Sequence, residues 1–265
     1  MFVEKVIRYN SSECPLKWGS AARKGPDKRV SEDSQSFHFE DEHYFLGVFD
    51  GHGSEGKWVS SFLASRWFEY LDANKFPALD EELKDKFTQY LKRKELPIDT
   101  FGGSTAACVV LDPMTISIIH LGDSRIVVGD TYEIVYATKD HKAKNKEEAK
   151  RMKGLHFILD GDGYICTKDG SLGMSRSFGD YAFKKEGNVL VSNIPTVEYL
   201  TMDPSMTYTI IIASDGIWDM IENKEAYKFI QDRRAQGFTP LDAANALVDR
   251  CEASSDDITC IVIFL

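Results

Sequence analysis

Three stretches place acids at the boundary of an apolar run. Tyr44-Phe45-Leu46-Gly47-Val48-Phe49 leads into Asp50-Gly51-His52-Gly53, and Ile210-Ile211-Ile212-Ala213-Ser214 leads into Asp215-Gly216-Ile217-Trp218-Asp219. Asp256-Asp257 comes directly before the run from Ile258 to Leu265. If these runs are neighbouring strands, their ends gather Asp50, Asp215 and Asp256 in one place. Two carboxylates about 4 Å apart repel by roughly 4 kcal/mol at an effective dielectric near 20, and divalent cations remove that cost. An oxygen-only donor set with no Cys or His cluster suits magnesium or manganese rather than structural zinc. Asp-Gly after a strand is also an ordinary turn, so spacing alone leaves the metal reading and the turn reading open.

The elements that must carry these acids follow from pattern. Apolar and β-branched runs predict strands over Phe2 to Tyr9, Gln35 to Phe39, Tyr44 to Phe49, Thr105 to Leu111, Ile116 to Leu121, Ile126 to Gly129, Tyr208 to Ala213 and Ile258 to Leu265. After Gly56, the residues Val59, Phe62, Leu63, Trp67, Tyr70 and Leu71 share one helical face, and a second helix is expected from about Asp80 to Lys94. Thr239-Pro240-Leu241-Asp242 reads as an N-cap, a first-turn proline and an N-terminal carboxylate, opening a helix whose stripe is Leu241, Ala244, Val248 and Cys251. Turns such as Asp112-Pro113 join consecutive strands as in antiparallel meanders. The order of elements implies an α+β fold of stacked β-sheets flanked by helices.

Composition narrows the function classes. A chain of 265 residues, 43% hydrophobic and 12% aromatic, can bury the core of one large domain, and no linker or repeat divides it. A net charge of -10 argues against a duplex nucleic-acid binder. Lys139 to Lys153 is the basic exception, with seven Lys/Arg against three acids, and reads as a solvated helix face. No stretch approaches the roughly 20 apolar residues of a membrane helix, and Met1-Phe2-Val3 opens neither a signal peptide nor a myristoylation site. The expectation is an intracellular protein, cytoplasmic and/or nuclear, with no membrane association. Cys14, Cys108, Cys166, Cys251 and Cys260 are scattered and odd in number, so they are expected to be reduced, with Cys108 and Cys260 buried in strands.

One ordered set of motifs goes further. Ser31-Glu32-Asp33, Phe49-Asp50-Gly51-His52-Gly53, Gly102-Gly103-Ser104-Thr105-Ala106, Gly122-Asp123-Ser124-Arg125, Asp140-His141-Lys142, Met174 to Asp180, Ala213 to Asp219 and Ser255-Asp256-Asp257-Ile258-Thr259 run across nearly the whole chain. This series resembles the metal-dependent type 2C protein phosphatase family. The resemblance implies a four-layer α/β/β/α sandwich, two antiparallel β-sheets with helices outside each. It also implies a single catalytic domain over 1–265 and a flap subdomain at about 142–186 that contributes to substrate choice.

Carried onto this sequence, the resemblance makes Asp50 the carboxylate bridging two divalent cations, magnesium or manganese, and Gly51 a ligand through its carbonyl. Glu32 supports one metal, Asp215 and Asp256 hold the other, and Asp33 hydrogen-bonds water beside them. Asp123, Asp215 and Asp219 match a third, weaker site. A metal lowers the pKa of water from about 15.7 to near 7, giving a hydroxide nucleophile at neutral pH. The absence of a Cys-x5-Arg loop fits hydrolysis of phosphoserine and phosphothreonine without a covalent phosphoenzyme.

His52 matches the general acid for the leaving alkoxide. For the phosphate, the family often has Arg four residues before the glutamate. Here that position is Lys28; Arg29, reached by a one-residue loop shift, is the first choice and Lys28 the second. Asp257 is the other departure, standing where many members have Asn. Arg176, Asp180, Asp140 and His141 read as supporting residues, and Gly102-Gly103-Ser104 as close backbone packing. The expected partners are phosphoproteins and the expected state a monomer. The competing readings are a catalytically inactive phosphatase-like binding module and a hydrolase of small phosphate esters.

Overall fold

A computed structural model describes residues 16–70, 75–97, 100–168 and 170–265. The strand expected over Phe2 to Tyr9, and Leu71 of the first helical face, lie outside the described residues. Ten strands build two main sheets. In chain order they are β1 (Lys17–Arg23), β2 (Ser34–Glu40), β3 (His43–Phe49), β4 (Ala106–Leu111), β5 (Thr115–Leu121), β6 (Arg125–Gly129), β7 (Ile134–Ala137), β8 (Thr196–Thr201), β9 (Thr209–Ala213) and β10 (Ile258–Phe264). One sheet runs β1-β10-β9-β6-β7 and the other β8-β5-β4-β3-β2, and every neighbouring pair is antiparallel. The Asp112 turn works as expected, its Oδ1 accepting from the Met114 and Thr115 amides at 3.0 and 2.8 Å.

Helices cover both outer faces. Against the β3/β4 sheet lie α1 (Gly56–Arg66) and α2 (Phe76–Lys94); α3 (Lys146–Arg151) and α4 (Asp215–Trp218) are short; α5 (Asn223–Ala235) and α6 (Pro240–Arg250) cover the β9/β10 sheet. The result is four layers and three apolar interfaces. In β9, Ile210 and Ile212 face the opposite sheet while Ile211 and Ala213 face the helices. In β3, Leu46 and Val48 face the opposite sheet, whereas Phe45 and Phe49 meet α1 and α2. Burial on both faces explains why these strands read as unbroken apolar runs instead of alternating ones.

Several boundaries differ from expectation. The first helix stops at Arg66 and tightens into a 3-10 turn at Trp67–Glu69. There Trp67 turns fully inward beneath Phe45 and Phe49, its Nε1 donating to Ser36 Oγ at 2.7 Å. Helix α2 begins at Phe76 with Pro77 in its first turn, four residues before the expected start, because Phe76 and Leu79 belong to the same core. Thr239 is the anticipated N-cap of α6, and with Asp242 it closes a capping box. Cys108 and Cys260 are buried in strands, and the described cysteines are free.

Between β7 and β8 the chain leaves the sandwich as a flap. It holds α3 and a three-stranded sheet of Ile158–Leu159, Ile165–Thr167 and Gly170–Leu172, packed on a small core of Ala143, Met152, Ile165, Leu172, Met174, Phe183, Leu190 and Val191. Two buried acids tie it down. Glu148 accepts from Arg151 Nε (3.0 Å), Ser175 Oγ (2.9 Å) and Arg176 Nε (2.9 Å). Asp80 on α2 accepts from the Gly179 amide (2.9 Å), Lys184 Nζ (2.8 Å) and Asn193 Nδ2 (2.9 Å). Removing one member of a buried ion pair costs about 3–5 kcal/mol, since the other charge is left desolvated. Asp80→Ala is therefore expected to lower unfolding stability in urea by about 3 kcal/mol and to speed proteolysis within 153–190 first. Wild-type stability with an equally resistant flap would show that Asp80 is not its anchor.

Candidate functional site

The acids singled out in the sequence sit around one end of the sandwich. Asp50 follows β3, where its amide donates to Thr105 Oγ1 at 3.1 Å and its carbonyl accepts from the Thr105 amide at 2.9 Å. Gly51 and His52 then pair with Gly103 and Ser104, which pair in turn with Phe178 and Gly179. A β-carbon at Gly51 would stand 2.4 Å from the Gly56 carbonyl oxygen and 2.6 Å from that of Glu32, so only glycine lets the three segments meet. Gly103 is equally constrained, because its β-carbon would overlap the Asp180 carboxylate at 2.3 Å. This is the close packing expected of the Gly102-Gly103-Ser104 run.

From the other sheet, Asp215 opens α4 after β9, and Asp256-Asp257 precede β10. Asp33 joins the two sheets: Ser214 Oγ donates to its Oδ2 at 2.8 Å, and Ser214 Oγ itself accepts from the Thr259 amide at 3.0 Å. Asp123 is buried in the turn before β6, while Asp219 is exposed on the solvent side of α4.

Electrostatics shows how closely the acids are gathered. Burial, followed by the charges of Asp215, Asp33, Asp123 and Asp256, pushes the Asp50 carboxyl well above its usual range. Burial with Asp123, Asp256 and Asp219 pushes Asp215 up to about 8. Asp33 rises to about 6 through burial, despite the nearby hydroxyls of Thr259 and Ser214. Two lysines supply cations at opposite margins. Lys28 Nζ lies 2.6 Å from Asp256 Oδ1, 3.2 Å from Glu32 Oε2 and 3.3 Å from Asp257 Oδ2; burial lowers its pKa, but these acids outweigh burial and hold it above the usual range. Lys142 Nζ pairs with Asp123 Oδ2. Sequence reasoning did not foresee either pairing, although a crowd of carboxylates implies nearby cations.

The donor set can be tested against a divalent ion. Among the described residues, buried Asp33 Oδ1, Asp123 Oδ1 and Asp215 Oδ1 have no hydrogen-bond partner, and Asp50 and Asp215 are both desolvated and act on each other. Every candidate donor is an oxygen. Among the described residues, no three His, Cys, Asp or Glu side chains are already spaced as a closed ligand shell. Unpartnered carboxylate oxygens and raised affinity for positive charge nevertheless fit a hard cation better than any protein group present.

His52 is partly buried beside these acids. Its Nε2 donates to Asp180 Oδ2 at 2.8 Å, the same oxygen that accepts from Ser177 Oγ, while its Nδ1 has no partner. Burial lowers its pKa, but Asp180, then Asp123 and Glu32, raise it above the usual value overall. Asp180 was expected only as a supporting residue; the structure puts it in contact with His52. Arg125 grips Asp140 with Nε and Nη2, both at 2.8 Å, and His141 Nδ1 accepts from the Gly122 amide at 3.0 Å. These last residues brace the turn that carries Asp123. Arg29 is exposed.

The sequence and fold match known proteins. The family model described as Protein phosphatase 2C matches residues 20–257. This chain belongs to the protein phosphatase 2C family. Protein phosphatase ppm-1.A of Caenorhabditis elegans is 28% identical over 94% of this chain and 59% of its own length. The probable protein phosphatase 2C 45 of Oryza sativa subsp. japonica is 31% identical over 82% of this chain and 75% of its own. A serine-threonine phosphatase 2C from Toxoplasma gondii superposes with a TM-score of 0.69 at 20% identity, covering 94% of both chains. Five of the curated relatives are spanned over only 43% to 67% of their length.

The raised carboxyl pKa values have a sign that can be measured. Asp215 takes up a proton on folding between its unfolded value of 3.8 and about 8. Its contribution to stability is therefore full at acid pH and is lost as pH rises towards 8. In chelator, Asp215→Asn should match wild type only below pH 3.8 and exceed it by a margin that grows up to about pH 8, read by calorimetry at about 2–4 °C per kcal/mol. A difference that stays flat with pH would place the proton elsewhere.

Proposed function

We propose that this protein hydrolyses phosphoserine and phosphothreonine esters of proteins, using two divalent cations held among Asp50, the Gly51 carbonyl, Glu32, Asp215 and Asp256. The observation that carries this reading is the desolvated pair of acids, Asp50 and Asp215, delivered to one place by strands of opposite sheets. A divalent pair held there supplies a nucleophilic hydroxide at neutral pH and neutralises phosphoryl oxygens. Asp123 and Asp219, with Asp215, offer the acids for a third, weaker cation, and Asp33 is placed to hold water beside the pair.

The chain's own groups do the rest. His52 is oriented by Asp180: Nε2 is committed to that carboxylate and the buried Nδ1 has no partner, and we assign the imidazolium as the proton source for a leaving serine or threonine alkoxide. Asp180 also favours the imidazolium, strengthening the hold of His52 on that proton. For the phosphate we assign Lys28 ahead of Arg29, reversing the order expected from the loop shift. The Lys28 ammonium already lies at the Glu32–Asp256 margin, while Arg29 is exposed. Substrate choice we assign to the flap, whose surface has an open hollow of about 540 Å³ lined by Phe157, Ile158, Lys168 and Lys185.

We also infer a monomer acting inside the cell on phosphoproteins and not on nucleic acid. In support, among the described residues no helix is long and apolar enough to cross a membrane, and the net charge is -10. The inactive binding module is the second reading; retention of Asp50, Asp215 and Asp256 weighs against it.

Purified protein with manganese or magnesium should release phosphate from a phosphothreonine peptide faster than from a small aryl phosphate, with loss on chelation and in Asp215→Asn. Silence from folded, metal-supplied wild type would favour the binding module, and equal preference the small-ester hydrolase. His52→Gln should lower kcat by about a hundredfold or more while calorimetric manganese affinity stays near wild type. A matching loss of metal affinity would remove His52 from proton transfer.

A further inference from the structure

The loop from Gly25 to Glu32 is organised by an acid that no step above uses. Asp257 is 1% exposed and stands immediately before β10. Its Oδ1 accepts from the Gly25 amide at 2.7 Å, and its Oδ2 accepts from the Glu32 amide at 2.7 Å. Lys28 Nζ lies 3.3 Å from Oδ2. Among the described residues, the three groups that bond or pair with this carboxylate are all donors, and two of them are backbone amides with no freedom to turn round. A carboxamide at the same place would set its NH2 against one of those amides, leaving a buried donor unpaired. The geometry demands Asp here, where the family pattern often carries Asn.

Lys28 is held from both sides of that carboxylate. Its amide donates to the Gly25 carbonyl at 3.3 Å, and Lys24 Nζ spans the Gly25 carbonyl (2.7 Å) and the Lys28 carbonyl. The backbone around Lys28 is thus a closed turn pinned to Asp257 at both ends. A lysine stem is flexible, and its ammonium is a compact point charge without the fixed fork of arginine. Something else must fix its position. Of the three acids around Lys28, Glu32 and Asp256 are assigned to cations, whereas Asp257 is not. Asp257 therefore remains a partner for Lys28 when the other two are engaged.

We propose that Asp257 is a positioning residue that holds Glu32 and Lys28 as one unit facing the phosphate, so that Lys28 and Asp257 function only as a pair. The two departures from the family pattern are then a single coupled feature. This rests on the phosphatase reading for the role of Lys28, while the clamp on Gly25 and Glu32 does not.

The test is a double-mutant cycle with Asp257→Asn and Lys28→Met in manganese-loaded enzyme, joined to amide hydrogen exchange in chelator. Lys28→Met leaves the buried carboxylate in place and so guards against a variant that fails to fold. Each single variant should raise KM for a phosphothreonine peptide and Ki for inorganic phosphate about tenfold, a loss of about 1.4 kcal/mol, with a smaller effect on kcat. The double variant should be no worse than either single. In chelator, the Gly25 and Glu32 amides should exchange about tenfold faster in Asp257→Asn, again about 1.4 kcal/mol. Multiplied losses in the double variant, or unchanged phosphate affinity in folded Asp257→Asn, would overturn the pairing. Wild-type exchange at both amides would overturn the clamp, even if the wild type proved inactive and the phosphatase reading fell.

Discussion

Like charges have to be brought together in a place from which water is largely removed, and this requirement shapes the molecule. Burial and the neighbouring acids raise the proton affinity of Asp50, Asp33 and Asp215, so the folded chain carries an electrostatic cost where they gather. That cost is tolerable only on a rigid frame. Each acid is attached to the end of a strand, or to a loop tied to one, and the strands belong to two sheets that are covered on both faces. Lys28 and Lys142 offset part of the repulsion by pairing with Asp256 and Asp123.

The same constraint explains the backbone around the site. Gly51 and Gly103 permit approaches that any side chain would block, and they bring Glu32, His52 and Asp180 within reach of one another. Hydroxyls of Thr105, Ser214 and Ser60 then fill short gaps; Ser60 Oγ donates to the Glu32 carbonyl at 2.5 Å. Small polar residues do this work because a larger side chain would separate the strand ends.

What could be read from sequence followed from where apolar residues are concentrated. Strands β3, β9 and β10 were plain because both their faces are buried, and the acids at their ends were plain for the same reason. Strand β1 was not, since Lys17-Trp18-Gly19-Ser20-Ala21-Ala22-Arg23 lies beneath α6 and needs small residues there: a β-carbon at Gly19 would meet the Leu241 backbone at 2.2 Å. Helix α5 was missed because its buried face is only Ala226, Tyr227 and Ile230 amid polar residues. Strands β7 and β8 were missed for a related reason, carrying no fully buried residue. Contacts distant in sequence were out of reach of pattern: Asp180 on His52, Asp257 on Gly25 and Glu32, and Asp80 on the flap.

The flap has a core of its own, separate from the three interfaces of the sandwich, and its principal ties are Glu148 near its start and Asp80 receiving its final segment. Between those ties, the described residues of the stretch 153–173 supply none of the acids around Asp50. It can therefore change length and composition as an exchangeable cassette, while the segment returning through Asp180 keeps the same hold on His52. Diversification of the outer surface and preservation of the acid cluster are separable in this architecture, because different stretches of one flap bear them.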